Sequence, residues 1–443
     1  MGRSANKKRH PAIVAKSKWL ELFDKSQWWS ADQLSEFQFR HLLRLCAHAY
    51  KTVPYYHGLF DRGGITSSQI NPGDWHKVPI LKRTVLQEYE ILSRSIPARH
   101  GRRSVVQTSG STGQPVRVYG TGWMNRIWEA VTVRDHLWHG RDFSGSLAVI
   151  RYSSKLDESG EGAMADHWGR STAGLYQTGP SMMFSVHAGI DRQLNWLAKQ
   201  QADYLLTYPS NLSALLERSE ERNMQFERLR EVRTISEMVP PELRNVCREQ
   251  WGVKLVDSYT SQETGYIALQ CPDHDHYHIQ SESVLVEVLN DEDEPCQPGE
   301  IGRVVLTSLH NYASPLIRYE IGDYAEVGEP CPCGRGLPVL KRIVGRQRNM
   351  LVLPNGERRW PVTGSMAFDR VISFRQFQMI QHSLEEIEVK LVVPEPVSKE
   401  QESELTDIIH RSLGHPFNIT FTYHDEIPRS AGGKFEDFKS NIA

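Results

Sequence analysis

The chain has 443 residues, of which 39% are apolar and 24% charged, with a formal net charge of −2. A length like this accommodates roughly two to four domains. A balance so near neutral argues against nucleic-acid binding as the main activity, because such proteins carry a basic excess or stripe. No apolar run is long enough to cross a membrane. The opening carries Arg3, Lys7, Lys8, Arg9, Lys16 and Lys18 with no acid before Glu21. No apolar segment of a secretory signal follows it, so residues 1–30 read as a basic, solvated, flexible terminus. Six cysteines do not make a disulfide scaffold in a chain this long. Without an export signal the expected compartment is the reducing cytoplasm, where clustered cysteines more often ligate metal.

In chain order, Asp32 to Tyr50 predicts a helix with Asp32 as its cap and Leu34, Phe37, Leu42, Leu45 and Ala49 on its apolar face. Val78–Lys82 is a short extended piece, and helical residues follow. Ser104-Val105-Val106 and Val116–Tyr119 predict two strands around a glycine- and hydroxyl-rich turn. A helix is predicted from Met124 to Trp138, a buried strand over Ser146–Ile150, and a polar surface excursion from Arg151 to Gly179. Then strands Tyr204–Thr207, Val232–Ile235 and Lys254–Val256 alternate with helices Ile190–Lys199, Asn211–Arg222 and one opened by Pro240-Pro241. This alternation predicts βαβ units and a largely parallel sheet. Val284–Val288 and Arg303–Thr307 lack a helix between them and predict an antiparallel section. After Gly345, two strands within Phe374–Val393, a helix Lys399–Leu413 and a strand Asn418–Tyr423 predict a small α+β unit. The fold class is therefore α/β: a large multi-sheet domain over residues 31–345 and a small α+β domain over 346–443.

Several short stretches carry chemistry. Gln107–Pro115 packs Gly110 and Gly113 with Thr108, Ser109, Ser111 and Thr112 between two strands. Glycines let backbone N–H groups converge, and hydroxyls add donors, which suits a phosphate chain. It is not a Walker loop, which needs Gly-Lys-Ser/Thr opening a helix. Strand Lys254–Val256 runs toward Glu263, an acid able to hold a magnesium ion on phosphates. Gly322-Asp323 places a carboxylate that can accept both hydrogens of a ribose diol. Val344–Asn349 falls where the last domain begins, and Ile427–Phe435 is a loop carrying Lys434, a mobile point charge.

Thr108–Pro115, Tyr259–Glu263, Arg318–Asp323, Gly345–Asn349 and Pro428–Lys434, in that order, resemble the successive core motifs of adenylate-forming enzymes. Within that superfamily the chain resembles the phenylacetate–coenzyme A ligase family, including its capsule-polysaccharide branch. His48–Tyr56 also resembles that family, and the similarity spans residues 30–440. The resemblance implies ATP-dependent activation of a carboxylic acid, an aromatic one, as an acyl-adenylate, followed by transfer to coenzyme A. It implies a mobile carboxyl-terminal domain. Ser109, Gly110, Ser111, Thr112 and Gly113 would cradle phosphates, and Tyr259, with Thr260 beside it, would lie against adenine. Glu263 would bind magnesium, Asp323 the ribose with Arg346 nearby, and Lys434 would stabilise the charge developing during adenylation. Departures are Gln114 for a loop lysine, Gln262 for Ser/Thr, and Arg348-Asn349 for an acidic hinge pair. Transfer to an amine or carrier thiol, transfer of AMP itself, and a non-catalytic scaffold are the other readings. The acid, the acceptor and the oligomeric state, a homodimer included, stay open.

Cys271, His278, Cys331 and Cys333 form a second constellation, with His274 and His276 competing with His278. Two cysteines one residue apart beside Pro332 and Gly334 make a thiolate knuckle, and four N/S ligands suit a structural, tetrahedral zinc. Trp138, His136, His139 and Tyr208–Ser210 are candidates for an acyl pocket, as are His167-Trp168 and Met182–Phe184, although such residues more often belong to the core.

Overall fold

The structure, a computed structural model, describes residues 11–66, 70–107, 116–157, 159–361, 368–430 and 433–442. It divides into two compact units between Ile343 and Val344. In the first, a 12-stranded sheet runs in the spatial order Val284–Leu289, Ile301–Ser308, Tyr319–Val327, Val339–Arg346, Tyr277–Ile279, Gly265–Gln270, Lys254–Ser261, Glu231–Ile235, Tyr204–Thr207, Leu147–Arg151, Ser181–Ser185, Ala163–Ala165.

The strands from Lys254–Ser261 to Ser181–Ser185 are parallel. Helices Ile190–Gln200, Pro209–Glu221 and Leu243–Trp251 separate several of them in sequence and supply the crossovers that parallel pairing needs. Leu194 and Leu197, Leu212, Leu215 and Leu216, and Leu243, Cys247 and Trp251 recur at helical spacing and pack on Ala148, Ile150 and Val232. Beyond Ser261 the chain turns back on itself, and the pairing becomes antiparallel. The predicted parallel and antiparallel sections are thus parts of one continuous sheet. The strand expected at Lys254–Val256 extends to Ser261 and forms a hairpin with Gly265–Gln270. A separate antiparallel pair, Arg103–Gln107 with Arg117–Thr121, brackets residues 108–115.

Two local expectations change. The helix predicted from Asp32 is Ala31–Thr52, and its cap is Ser30, which exchanges a reciprocal capping box with Gln33. Residues 11–26, placed in a solvated terminus by their charge, form a helix. Its Trp19 and Phe23 pack with Ile127, Ala130, Val131 and Leu269. Lys16 is buried, and its ammonium donates to the carbonyls of Arg170, Ser171 and Ala173 at 2.8, 3.3 and 3.1 Å. The helix is further held by Arg134, which donates to the Phe23 carbonyl at 2.7 Å and to buried Glu282 at 2.7 Å.

In the second unit a four-stranded sheet has the order Asn418–Tyr423, Glu386–Val392, Gln376–Gln381, Phe438–Ser440. Helix Lys399–Leu413 is opened by a Ser398–Gln401 capping box and stopped by Gly414 at φ +64°. It buries Leu405, Ile409 and Leu413 against Met379, Ile387, Val389 and Leu391. At the start of this unit Gly345 has φ +140°, and a side chain there would collide with the Trp360 ring, so the position requires glycine. Among the described residues no helix is long and apolar enough to cross a membrane.

Candidate nucleotide site and metal cluster

The hairpin turn Gln262–Thr264 is closed by Ser261, whose hydroxyl accepts the Thr264 N–H at 3.1 Å. That turn holds Glu263 in a buried position. One strand pair away in the fold, Asp323 follows Gly322 at φ +85° on the Tyr319–Val327 strand. The Tyr259 hydroxyl donates to Asp323 Oδ2 at 2.7 Å, and both side chains are buried. Two motifs 64 residues apart therefore meet directly.

Tyr319 connects them to Glu263. Burial, then the charge of Glu263, raises its hydroxyl well above the ordinary tyrosine value, with Arg83 opposing and Asp323 adding. Arg83 itself lies 3.5 Å from Glu263. The sequence gives no signal for Arg83, which lies 180 residues from Glu263 in the chain. Its placement follows from the extended piece before it. Leu81 exchanges backbone bonds with the Arg318–Glu320 segment, donating to Arg318 at 2.8 Å and accepting from Glu320 at 3.0 Å. Arg318, inside a motif stretch, is structural. It is buried at φ +48°, bonds the carbonyls of His76 and Val78, and pairs with Glu287 at 3.0 Å.

Ser109, Gly110, Ser111, Thr112 and Gly113 lie outside the described residues, as does Gln114. Thr260 sits at a register shift in the hairpin, next to Tyr259. Arg346 and Lys434 belong to the second unit. Lys434 is in a loop where its N–H donates to the Ser430 hydroxyl at 3.1 Å and its carbonyl accepts from the Ser430 N–H at 2.8 Å. Asn349, one of the hinge departures, donates to the Phe438 carbonyl at 2.7 Å, which gives it a packing role within that unit.

Two of the acyl-pocket candidates belong to the interior instead. His136 and His139 surround buried Asp135, which pairs with Arg141 at 2.7 Å and with Arg233 at 2.5 Å. Trp138 donates to Gln27 at 2.9 Å. A cavity of about 20 Å³ lies on the other part of the same helix, lined by Met124, Ile127, Trp128, Val131, Thr264, Tyr266, Ser283, Ser308 and His310. A wider surface groove of about 520 Å³, over Asp32, Phe39, Arg40, Leu43 and Pro72, has no motif residue on its walls.

The cysteine–histidine constellation converges. Cys271 Sγ is 3.8 Å from Cys331 Sγ, and Cys333 Sγ is 3.4 Å from His278 Nε2. With Zn–S near 2.3 Å, a tetrahedral site has S–S edges of roughly 3.8 Å. His278 Nδ1 faces the Leu337 carbonyl at 3.3 Å, which fixes the proton there and leaves Nε2 free to ligate. Burial pushes the Cys331 thiol up to about 12, a state that a bound cation reverses. The competition among histidines narrows to two. His276, with Cys271, His278 and Cys331, has a ligand atom within 4.8 Å of the others, and its Nε2 is buried with no hydrogen-bond partner among the described residues. Residues of this composition fit a metal ion.

Comparison with known proteins now discriminates among the folds that could carry such motifs. A CapK C-terminal domain model matches residues 358–441. The phenylacetate–coenzyme A ligase of Thermus thermophilus is 26% identical over 435 residues, covering 91% of this chain and 95% of that one. Both matches support the resemblance to the phenylacetate–coenzyme A ligase-like family, CapK included. Protein CapK of Staphylococcus aureus is 26% identical over 152 residues, about a third of each chain (32% and 33%). The fold is shared with a 2-hydroxyisobutyryl-CoA ligase solved in the postadenylation state with 2-HIB-AMP, at TM-score 0.73, 19% identity and 94% and 93% coverage. The α/β fold with a carboxyl-terminal domain expected from the sequence is the one observed. Gln262, a departure from the motif, is exposed in the turn, and the turn is closed by Ser261 and Thr264 instead.

Proposed function

We propose that the protein is an AMP-forming acid–thiol ligase that activates a carboxylic acid with ATP and passes the acyl group to coenzyme A. The observation that carries this reading is the meeting of Tyr259, Asp323, Tyr319, Glu263 and Arg83 in one place. A carboxylate oriented by a buried tyrosine suits a ribose diol, and a second buried carboxylate suits a magnesium-bound phosphate chain. The relative's name, phenylacetate–coenzyme A ligase, supports the thiol as acceptor.

In the first step a carboxylate oxygen of the acid attacks the α-phosphorus of ATP, and pyrophosphate leaves. Asp323 and Tyr259 would hold the nucleoside, with Thr260 and Arg346 contributing. Ser109, Gly110, Ser111, Thr112 and Gly113 would cradle the phosphates with backbone and hydroxyl donors. Glu263 would hold magnesium, which supplies neutralisation of the pyrophosphate charge. Lys434 would offset the charge developing between carboxylate and α-phosphate, a positioning effect of the kind such transfers use. In the second step the coenzyme A sulfur attacks the acyl carbon, its proton passes to solvent and AMP leaves. Movement of the carboxyl-terminal unit about the residues after Gly345 would exchange Lys434 for the thiol. Cys271, Cys331, Cys333 and His278 would hold a structural zinc. Cysteines that remain free at 3.8 Å fit a reducing, cytoplasmic setting.

The test is acid-dependent pyrophosphate release from ATP and magnesium across a panel of acids, with and without coenzyme A. Release with every component present, and thioester formation only with coenzyme A, is expected. Silence across the panel removes the enzyme reading, and release without thioester removes the acceptor.

A further inference from the structure

The cysteine knuckle and the amino-terminal helix meet at one place. The knuckle, residues 331–336, is an irregular connection between strands Tyr319–Val327 and Val339–Arg346. Cys333, a candidate ligand, is followed by Gly334, Arg335 and Gly336, and then by Leu337, whose carbonyl orients His278. Arg335 and Gly336 therefore lie between two points that a bound metal would fix.

Both touch residues 27–29, the junction between helices Pro11–Ser26 and Ala31–Thr52. The Gly336 N–H donates to the Gln27 carbonyl at 2.9 Å. A Cβ at Gly336 would collide with the Trp29 carbonyl oxygen, so only glycine permits this backbone approach. Arg335 Nε donates to Gln27 Oε1 at 3.1 Å, and the Trp138 indole donates to the same oxygen at 2.9 Å. The Arg335 guanidinium lies 5.1 Å from the Trp28 ring centre and 4.7 Å from that of Trp138, within cation–π range of both. Trp138 in turn stands edge-on to the His278 ring at 5.7 Å.

Within the knuckle the Gly334 N–H donates to the Cys331 carbonyl at 3.2 Å, and the Cys333 N–H reaches Cys331 Sγ at 3.4 Å. A metal shared with His278 would join this loop to strand Tyr277–Ile279. In such sites the binding free energy goes into the local fold.

We propose that metal binding and docking of the amino-terminal helix are coupled through Arg335. With the ligands filled, Arg335 and Gly336 clasp residues 27–29. With the metal removed, the knuckle relaxes and helix Pro11–Ser26 loosens from the first unit. That helix packs Trp19 and Phe23 on Leu269, in the strand that follows the Glu263 turn, so the metal is tied to the candidate site through it. The coupling rests on the metal reading of the cluster and is independent of adenylation. Linkage is reciprocal, so weakening the clasp also weakens zinc binding.

The experiment is hydrogen–deuterium exchange, read by mass spectrometry, on the full chain with zinc bound and after a chelator removes it, with zinc content measured in each sample. Amides of residues 19–29 are expected to exchange roughly tenfold or more faster without zinc, the scale of one or two lost hydrogen bonds, and to recover when zinc is returned. Helix Pro209–Glu221, in the same unit, should keep its rate. Arg335→Ala with zinc bound should show the faster exchange already, bind zinc roughly tenfold more weakly and respond little to chelation. Zinc removed with unchanged exchange over residues 19–29, equal acceleration of Pro209–Glu221, or an Arg335→Ala protein with wild-type exchange and zinc affinity overturns the coupling. A wild type that holds no zinc and takes none up removes the metal reading itself, and the coupling with it.

Discussion

Removing the Tyr259 hydroxyl is a small change with a calculable effect on nucleotide binding. The bond from Tyr259 to Asp323 is 2.7 Å long, and both side chains are less than a tenth exposed, so water does not screen it. A hydrogen bond to a charged group in such a setting contributes about 1.5–3 kcal/mol. Tyr259→Phe keeps the ring that would face adenine and deletes only this bond. Asp323 then loses the hydroxyl bond that orients it. If about half of the bond's contribution reaches the nucleotide, ATP binding weakens by about 0.75–1.5 kcal/mol, or roughly 3- to 12-fold in Kd. Asp323→Ala should cost more, because the diol loses its acceptor. The pair should be non-additive, since the tyrosine acts through the aspartate. Titration calorimetry of ATP into the two single variants and the double variant measures all three. A Tyr259→Phe protein with wild-type Kd, or strictly additive losses, refutes the claim that this bond orients a ribose-binding carboxylate.

Arg134→Met strands Glu282, which is fully buried, and removes the donor to Phe23 of the first helix. Breaking a buried pair this way costs about 3–5 kcal/mol, so the urea midpoint should fall steeply, and a loss below about 1 kcal/mol would contradict the clamp. Cys331→Ser is expected to abolish the bound metal and lower the thermal midpoint, since a structural zinc's binding free energy adds to stability; elemental analysis of the wild type should give one zinc per chain, and a metal-free, equally stable wild type would refute the site. His41 and His100 are held down to about 4 and His310 to about 3, in each case by burial first. The unfolded chain binds protons on these rings below about pH 6.5 while the folded one does not, so stability is full above that pH and falls toward pH 4. The slope is up to about 1.4 kcal/mol per pH unit for each ring, and equal urea midpoints at pH 7 and pH 5 would show that the rings are not buried neutral.

Much of the fold was legible because its signals are local. Lys399–Leu413, Asn418–Tyr423 and Tyr204–Thr207 have the predicted bounds, since their periodicity is strong and stops such as Gly414 are unambiguous. The first helix was not legible, because its basic residues mimic a solvated tail and Lys16 is buried only by carbonyls more than 150 residues away. The sheet's continuity was hidden for a similar reason: the strand from Tyr319 pairs with Ile301–Ser308 but is also joined by the remote Leu81. In the site, Glu263 and Asp323 could be picked out by motif, while Arg83 could not, because only folding brings it alongside Glu263. The metal knuckle showed in cysteine spacing, yet choosing between His276 and His278 depends on which ring nitrogen is already engaged.

The account rests on separated residues of the first unit gathering around one nucleotide. A crystal structure of the protein with bound AMP tests this most directly. The expected result places the ribose hydroxyls on Asp323 and the adenine against Tyr259, with Glu263 facing the phosphate. Nucleotide bound away from all three, with the Tyr259–Asp323 bond undisturbed, would contradict it.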